Sequence, residues 1–157
     1  MTRDSAKTEN PQIEICCRID SSMLGLLREF VTSVARHIGF SEKETSEIEI
    51  CVDEACANAL EHAYTNAIDA SHPCRHKELY IEISFANSEL TVRVIDHGRG
   101  SEKKIESRFR GIEDYMEPGR PEYRGLGLYL MHKFMDRVDV RSAPGKGTTV
   151  EMTKIRK

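Results

Sequence analysis

Two alternating runs, Leu79 to Phe85 and Leu90 to Ile95, flank the turn pair Asn87-Ser88 and constrain this chain most. Period-two alternation on both sides of so short a break is the pattern of a β-hairpin with one buried face. Strands joined in this way are antiparallel, so any fold containing them must cover one face of a twisted sheet.

The covering layer is also legible. Leu24, Leu27, Phe30, Val31 and Val34 recur at helical spacing after Ser21 or Ser22, either of which can cap a helix, and Gly39 stops the run. Ser41 followed by Glu44 is a capping-box pattern and opens a second helix running to about Tyr64. On that helix Ile48, Val52, Ala55 and Ala59 form one stripe, and Glu54, Asn58 and His62 repeat every four residues on another face. Ile13 to Ile19 reads as a strand, and Leu126 to Met135 as a helix. Val138 to Ser142 and Thr148 to Thr153 read as strands around the turn at Pro144 to Gly147. The order β, α, α, β, β, long connection, α, β, β predicts an α+β fold: a two-layer sandwich with a mixed, mostly antiparallel sheet and helices on one face.

The organisation expected is a flexible polar N-terminus at 1–11 and a single domain at 12–157. Residues 101–123, interrupted by Gly111, Pro118, Gly119 and Pro121, have the length of a lid or binding loop. A net charge of −3 over 157 residues gives no support to direct nucleic-acid or membrane-surface binding. The polar N-terminus shows no signal peptide, and no apolar run reaches membrane-spanning length. Five cysteines without CxxC spacing fit reduced thiols in the cytoplasm better than a disulfide framework. His72, Cys74 and His76 are too few, and too isolated in a polar loop, to read as a metal site.

Three segments carry chemistry. Glu54 and Asn58 lie one helical turn apart, so an amide oxygen suited to a hard cation such as Mg²⁺ sits beside a carboxylate able to accept a proton. Asp96-His97-Gly98-Arg99-Gly100 ends a strand with an acid that can accept from an exocyclic amine, and with glycines that let backbone approach a flat ring. Arg124-Gly125-Leu126-Gly127 opens a helix whose unpaired N–H groups and positive dipole end suit phosphate, with Arg124 in reach of a terminal phosphate. Gly145-Lys146-Gly147-Thr148 is not a Walker loop, because Val140 stands where the first glycine belongs and Gly147 where Ser or Thr does.

Together these residues resemble the Bergerat-type ATP site of the GHKL superfamily, and most closely the RsbW/SpoIIAB-type anti-sigma factor serine kinases. Glu54 to Tyr64 is similar to the N-box, Asp96 to Gly100 to the G1 box, and Arg124 to Met131 to the G2 box. Phe134-Met135-Asp136 and Gly147-Thr148-Thr149 match further along, so the resemblance spans about Ile13 to Lys154. It implies ATP and Mg²⁺ as cofactors, Asn58 as the metal ligand and Glu54 as general base on a serine. It also implies that Asp96 reads the adenine amine, that Gly98, Gly100, Gly125 and Gly127 shape the pocket with Leu126, and that Thr148 supports the adenine. Basic residues of the lid, or Arg124, would offset charge in transfer.

The implied function is twofold: holding a sigma factor inactive, and phosphorylating a serine of a STAS-type anti-sigma-factor antagonist. A homodimer is implied, with the first helix and its flanks, Ser21 to Phe30, supplying dimer or sigma contacts. Two other readings stay open at this point: a non-catalytic ATP-gated binding module, and the detached catalytic domain of a histidine kinase. The chain lacks room for a phosphoacceptor helix pair, and the surroundings of His37 do not look like a phosphoacceptor box.

Overall fold

The computed structural model describes residues 11–18, 20–64, 78–101 and 126–157. The expected lid beyond Ser101, Arg124, Gly125, the His72/Cys74/His76 loop and the side chain of His62 lie outside the described residues. Within them the elements are β1 (Ile13–Arg18), α1 (Ser21–His37), α2 (Glu42–Tyr64), β2 (Glu78–Ala86), β3 (Glu89–Asp96), α3 (Leu126–Phe134), β4 (Arg137–Ala143) and β5 (Gly147–Ile155). The five strands form one sheet in the order β1-β2-β3-β5-β4. Every pairing in it is antiparallel, so the parallel component allowed by a mixed sheet is absent among the described residues.

Local chemistry explains the boundaries. The cap of α1 is Asp20 rather than Ser21 or Ser22. One carboxylate oxygen of Asp20 accepts from the N–H groups of Ser22, at 2.8 Å, and Met23, at 3.2 Å, covering two orphan donors at once. At the other end Gly39 takes φ +94°, while Phe40 N–H reaches Ala35 O and Gly39 N–H reaches Arg36 O, a Schellman closure. The capping box of α2 forms in both directions. Glu44 Oε2 accepts from Ser41 N–H at 2.8 Å, and Ser41 Oγ accepts from Glu44 N–H at 3.3 Å. Asn87 and Ser88 both take positive φ, 52° and 67°, as a two-residue hairpin turn matched to strand twist requires.

The core lies between the helices and one sheet face. Leu27, Val31 and Ala35 of α1 and Ile48, Val52, Ala55 and Ala59 of α2 are buried against Leu79, Ile81, Ile83, Leu90, Val92, Val94, Val150 and Met152. Burial pushes the Cys51 and Cys56 thiols up to about 12, which keeps them protonated and unreactive.

One polar contact crosses this layer. Lys154 of β5 is almost fully buried and donates to Glu47 of α2 at 2.6 Å and to the Phe134 carbonyl at the end of α3 at 2.5 Å. It fixes both helices lengthwise over the sheet.

Glu44 also accepts the N–H of Lys157, and these hydrogen bonds pull its carboxyl from 4.5 to about 2. A carboxyl held low in the folded state binds fewer protons there than when unfolded. Its contribution is therefore complete above pH 4.5 and is lost as the pH falls toward 2. Urea unfolding should show Glu44→Gln less stable than wild type by about 1 kcal/mol at neutral pH, with the gap closing on acidification through that window. A gap unchanged at pH 2.5 would contradict the assignment.

Candidate functional site

Pleat parity places the end of the sheet. Cys17, Leu79, Asp96, Thr148 and Ser142 are register partners in turn across β1, β2, β3, β5 and β4. With Leu79 in the core, this terminal row faces the helix layer. Asp96, 6% exposed, is held by its neighbours: Oδ1 accepts the N–H of Gly98 at 2.9 Å and that of Thr148 at 3.3 Å.

Glycines bring two backbones together here. Gly147 takes φ +78°, and a Cβ on it would lie 1.9 Å from the Asp96 carbonyl oxygen. Gly100, at φ +66°, meets the Ala143 carbonyl equally closely, and Gly145 N–H donates to Arg99 O at 2.7 Å. The exit of β3 and the β4–β5 hairpin are thus in backbone contact, a packing that only glycine permits.

The helices reach the same end. Lys154 anchors Glu47 above the far end of β5, and α2 then rises about 10 Å to Glu54 and about 16 Å to Asn58. Cys56, between those two, is buried in the core against which Cys17 of the terminal row packs. Because the end of α3 also sits on Lys154, α3 runs antiparallel to α2 and its start meets Glu54. A Cβ on Gly127 would fall 2.5 Å from Glu54 Oε2. The structure therefore gathers Glu54, Asn58, Leu126 and Gly127 over the terminal row that holds Asp96 and Thr148, with Gly98 and Gly100 just beyond it. Asn58 is partly buried, and Leu126 is 38% exposed at the start of α3. Burial, and then the charges of Asp53 and Glu61, raise the Glu54 carboxyl above its ordinary 4.5.

Two participants escaped the sequence reading. Gly147 was assigned only to a turn and a motif match, and Ser142 only to a strand. Their roles come from the hairpin register, which pairs Ser142 with Thr148 and Ala143 with Gly147. The positive-φ requirement at Gly147 was the one available signal, and the neighbouring Pro144-Gly145-Lys146 turn masked it.

The family described as histidine kinase-like ATPase domain matches residues 18–154. An anti-sigma F factor of Caldanaerobacter subterraneus subsp. tengcongensis is 33% identical over 132 residues, 81% of each chain. A serine-protein kinase RsbW of Bacillus subtilis is 30% identical over 155 residues, 94% of this chain and 88% of that one. A crystal structure of the RsbU and RsbW domains of a Mycobacterium tuberculosis protein is similar with a TM-score of 0.61 at 17% identity. That match covers 93% of this chain and 33% of the other, and it is a likeness of fold.

The glycine contacts set up a contrast. Gly147→Ala meets rigid backbone and should cost about 2–4 kcal/mol in denaturant unfolding. Gly127→Ala meets the movable end of a side chain and gains helix propensity, so it should stay within about 1 kcal/mol of wild type while displacing Glu54. Equal losses would show that the two approaches are not of different kinds.

Proposed function

This chain belongs to the histidine kinase-like ATPase family, and we propose that it is an ATP-dependent protein serine kinase that also sequesters a sigma factor. Its substrate is a serine of a STAS-type anti-sigma-factor antagonist, whose phosphorylation prevents displacement of the sigma factor. One observation carries the reading: Glu54, with its raised proton affinity, lies against Gly127 at the start of α3, one turn from Asn58 and over the row holding Asp96 and Thr148. Relatives named anti-sigma F factor and serine-protein kinase RsbW, matched over 81% and 94% of this chain, support it.

In this reading Asp96 accepts the exocyclic amine of adenine, and Thr148 supports the ring. Gly98, Gly100, Gly125 and Gly127 let backbone close around the nucleotide, with Arg124 and the start of α3 at Leu126 toward the phosphates. Asn58 offers a hard amide oxygen. Among the described residues no three His, Cys, Asp or Glu side chains converge to hold a metal, so the donor set fits Mg²⁺ that arrives with phosphate oxygens. Asn58 would hold Mg²⁺ through its amide oxygen, and the ion would supply charge neutralisation of the phosphates during transfer. Glu54 takes the proton of the serine hydroxyl as that oxygen attacks the γ-phosphorus and the bond to the bridging oxygen breaks, releasing ADP. The rise in its proton affinity makes it a better acceptor than an ordinary surface carboxylate.

The partner surface we assign to α1. Leu26 is 59% exposed and Phe30 39%, one turn apart on a helix whose other face is core. No helix among the described residues is long and apolar enough to cross a membrane. A sigma factor is met in the cytoplasm, and the protein is placed there on that ground.

Transfer from γ-labelled ATP to the antagonist tests the enzyme. Glu54→Gln should lower it about 10²–10⁴-fold and leave ATP affinity within about threefold, whereas Asn58→Ala should weaken Mg·ATP binding itself. The wild-type rate should fall on acidification with a midpoint above 4.5, because the base must be ionised. Undiminished transfer by Glu54→Gln would leave a nucleotide-gated binding module instead. For the surface, Leu26→Asp with Phe30→Asp should abolish self-association or sigma-factor binding in sedimentation, and retention of both would remove α1 from the interface.

A further inference from the structure

The terminal row of the sheet contains a hydroxyl pair whose proton arrangement decides what it offers to a ligand. Ser142 Oγ lies 2.8 Å from Thr148 Oγ1 and accepts the N–H of Ser101 at 2.9 Å. The Gly147 carbonyl oxygen is 3.3 Å from Ser142 Oγ. Each hydroxyl has a single proton to give. In one arrangement Ser142 donates to Thr148, and the Thr148 proton is released toward the site. In the other, Thr148 donates to Ser142, and the protein acceptor within reach of the Ser142 proton is Gly147 O.

Geometry separates the two. A contact of 2.8 Å is the commonest O–H···O length, while 3.3 Å lies outside the range of about 2.5–3.0 Å. For a partner within the protein the second arrangement relies on that long contact, and the first does not. The Ser101 N–H occupies one acceptor position on Ser142 in either arrangement.

We propose that Ser142 is a positioning residue for nucleotide recognition: by donating to Thr148 it leaves the Thr148 hydroxyl as a donor to the acceptor nitrogen of the adenine ring. The inference rests on the ATP reading of the site. Asp96 and Thr148 are direct register partners, so an acceptor and a donor stand side by side. Adenine presents the complement, an amine donor next to the ring-nitrogen acceptor N1. Guanine presents a carbonyl and an N–H at the same two places, so the fixed proton arrangement also selects the base. Ser142 touches no part of the nucleotide and acts only through Thr148.

The test compares ATP with 1-deaza-ATP, in which a C–H replaces the acceptor nitrogen, by calorimetry on the full chain. Wild type should bind 1-deaza-ATP about tenfold more weakly than ATP. Ser142→Ala should weaken ATP about fivefold, the share of one hydrogen bond, and leave 1-deaza-ATP within about twofold of its wild-type affinity. Ser142→Thr, which keeps the hydroxyl on a strand, should restore ATP binding. Ser142→Cys, a much weaker donor, replaces the alanine variant if that one does not fold. A loss of equal size for both nucleotides, or none for ATP, overturns the positioning role while the nucleotide site stands. Absence of ATP binding by the wild type overturns the site reading and this inference with it.

Discussion

The contact between the start of β5 and the carbonyl of Asp96 governs the whole functional end of this molecule. With a Cβ at residue 147 the two backbones could not approach, and β5 could not lie beside β3 in the register that sets Thr148 opposite Asp96. Two consequences follow from that one approach. The Asp96 carboxylate gains a backbone donor from Thr148, and the β4–β5 hairpin comes near enough for Ser142 to hold the Ser101 N–H. A site built from strands distant in sequence is thereby made rigid by backbone geometry rather than by side-chain packing.

The helix layer completes the arrangement by a different principle. The helices α2 and α3 are seated first by core packing. Their buried stripes set the distance to the sheet. Contact between Gly127 and Glu54 then sets how closely α3 may approach α2 at the end of the sheet that carries Asp96. A small residue at 127 and an acid at 54 are thus parts of one feature: the space left by the missing side chain is the space the carboxylate occupies.

Much of this was legible in the chain because the signals are local. The alternation around Asn87-Ser88 foretold the hairpin, and the Ser41–Glu44 box foretold the start of α2. The four-residue repeat of Glu54 and Asn58 foretold a shared face. Capping at α1 was misplaced because three consecutive residues, Asp20, Ser21 and Ser22, all carry suitable oxygens. Only the observed turn shows that the Asp20 carboxylate serves both N–H groups. The sheet order, its wholly antiparallel pairing and the part of Ser142 were not legible, since each depends on a pairing between strands that no local period encodes. The motif match singled out Thr148 but carried no signal for the hydroxyl beside it, Ser142.

The buried ammonium of Lys154 has a bearing on how this fold can diverge. Its charge is shared between the Glu47 carboxylate and the last carbonyl of α3, away from water. Loss of Glu47 alone leaves the buried ammonium without its carboxylate, at a cost of about 3–5 kcal/mol, whereas joint replacement of the pair by apolar groups of similar volume is tolerated. Glu47, partly exposed and also within 4.0 Å of Lys43, depends less on Lys154. A change at position 47 therefore asks for a compensating change at 154 more than the reverse. Where they do change, the lengthwise seat of both helices, and with it the height of Glu54 over the sheet, passes from a polar clasp to shape fit alone.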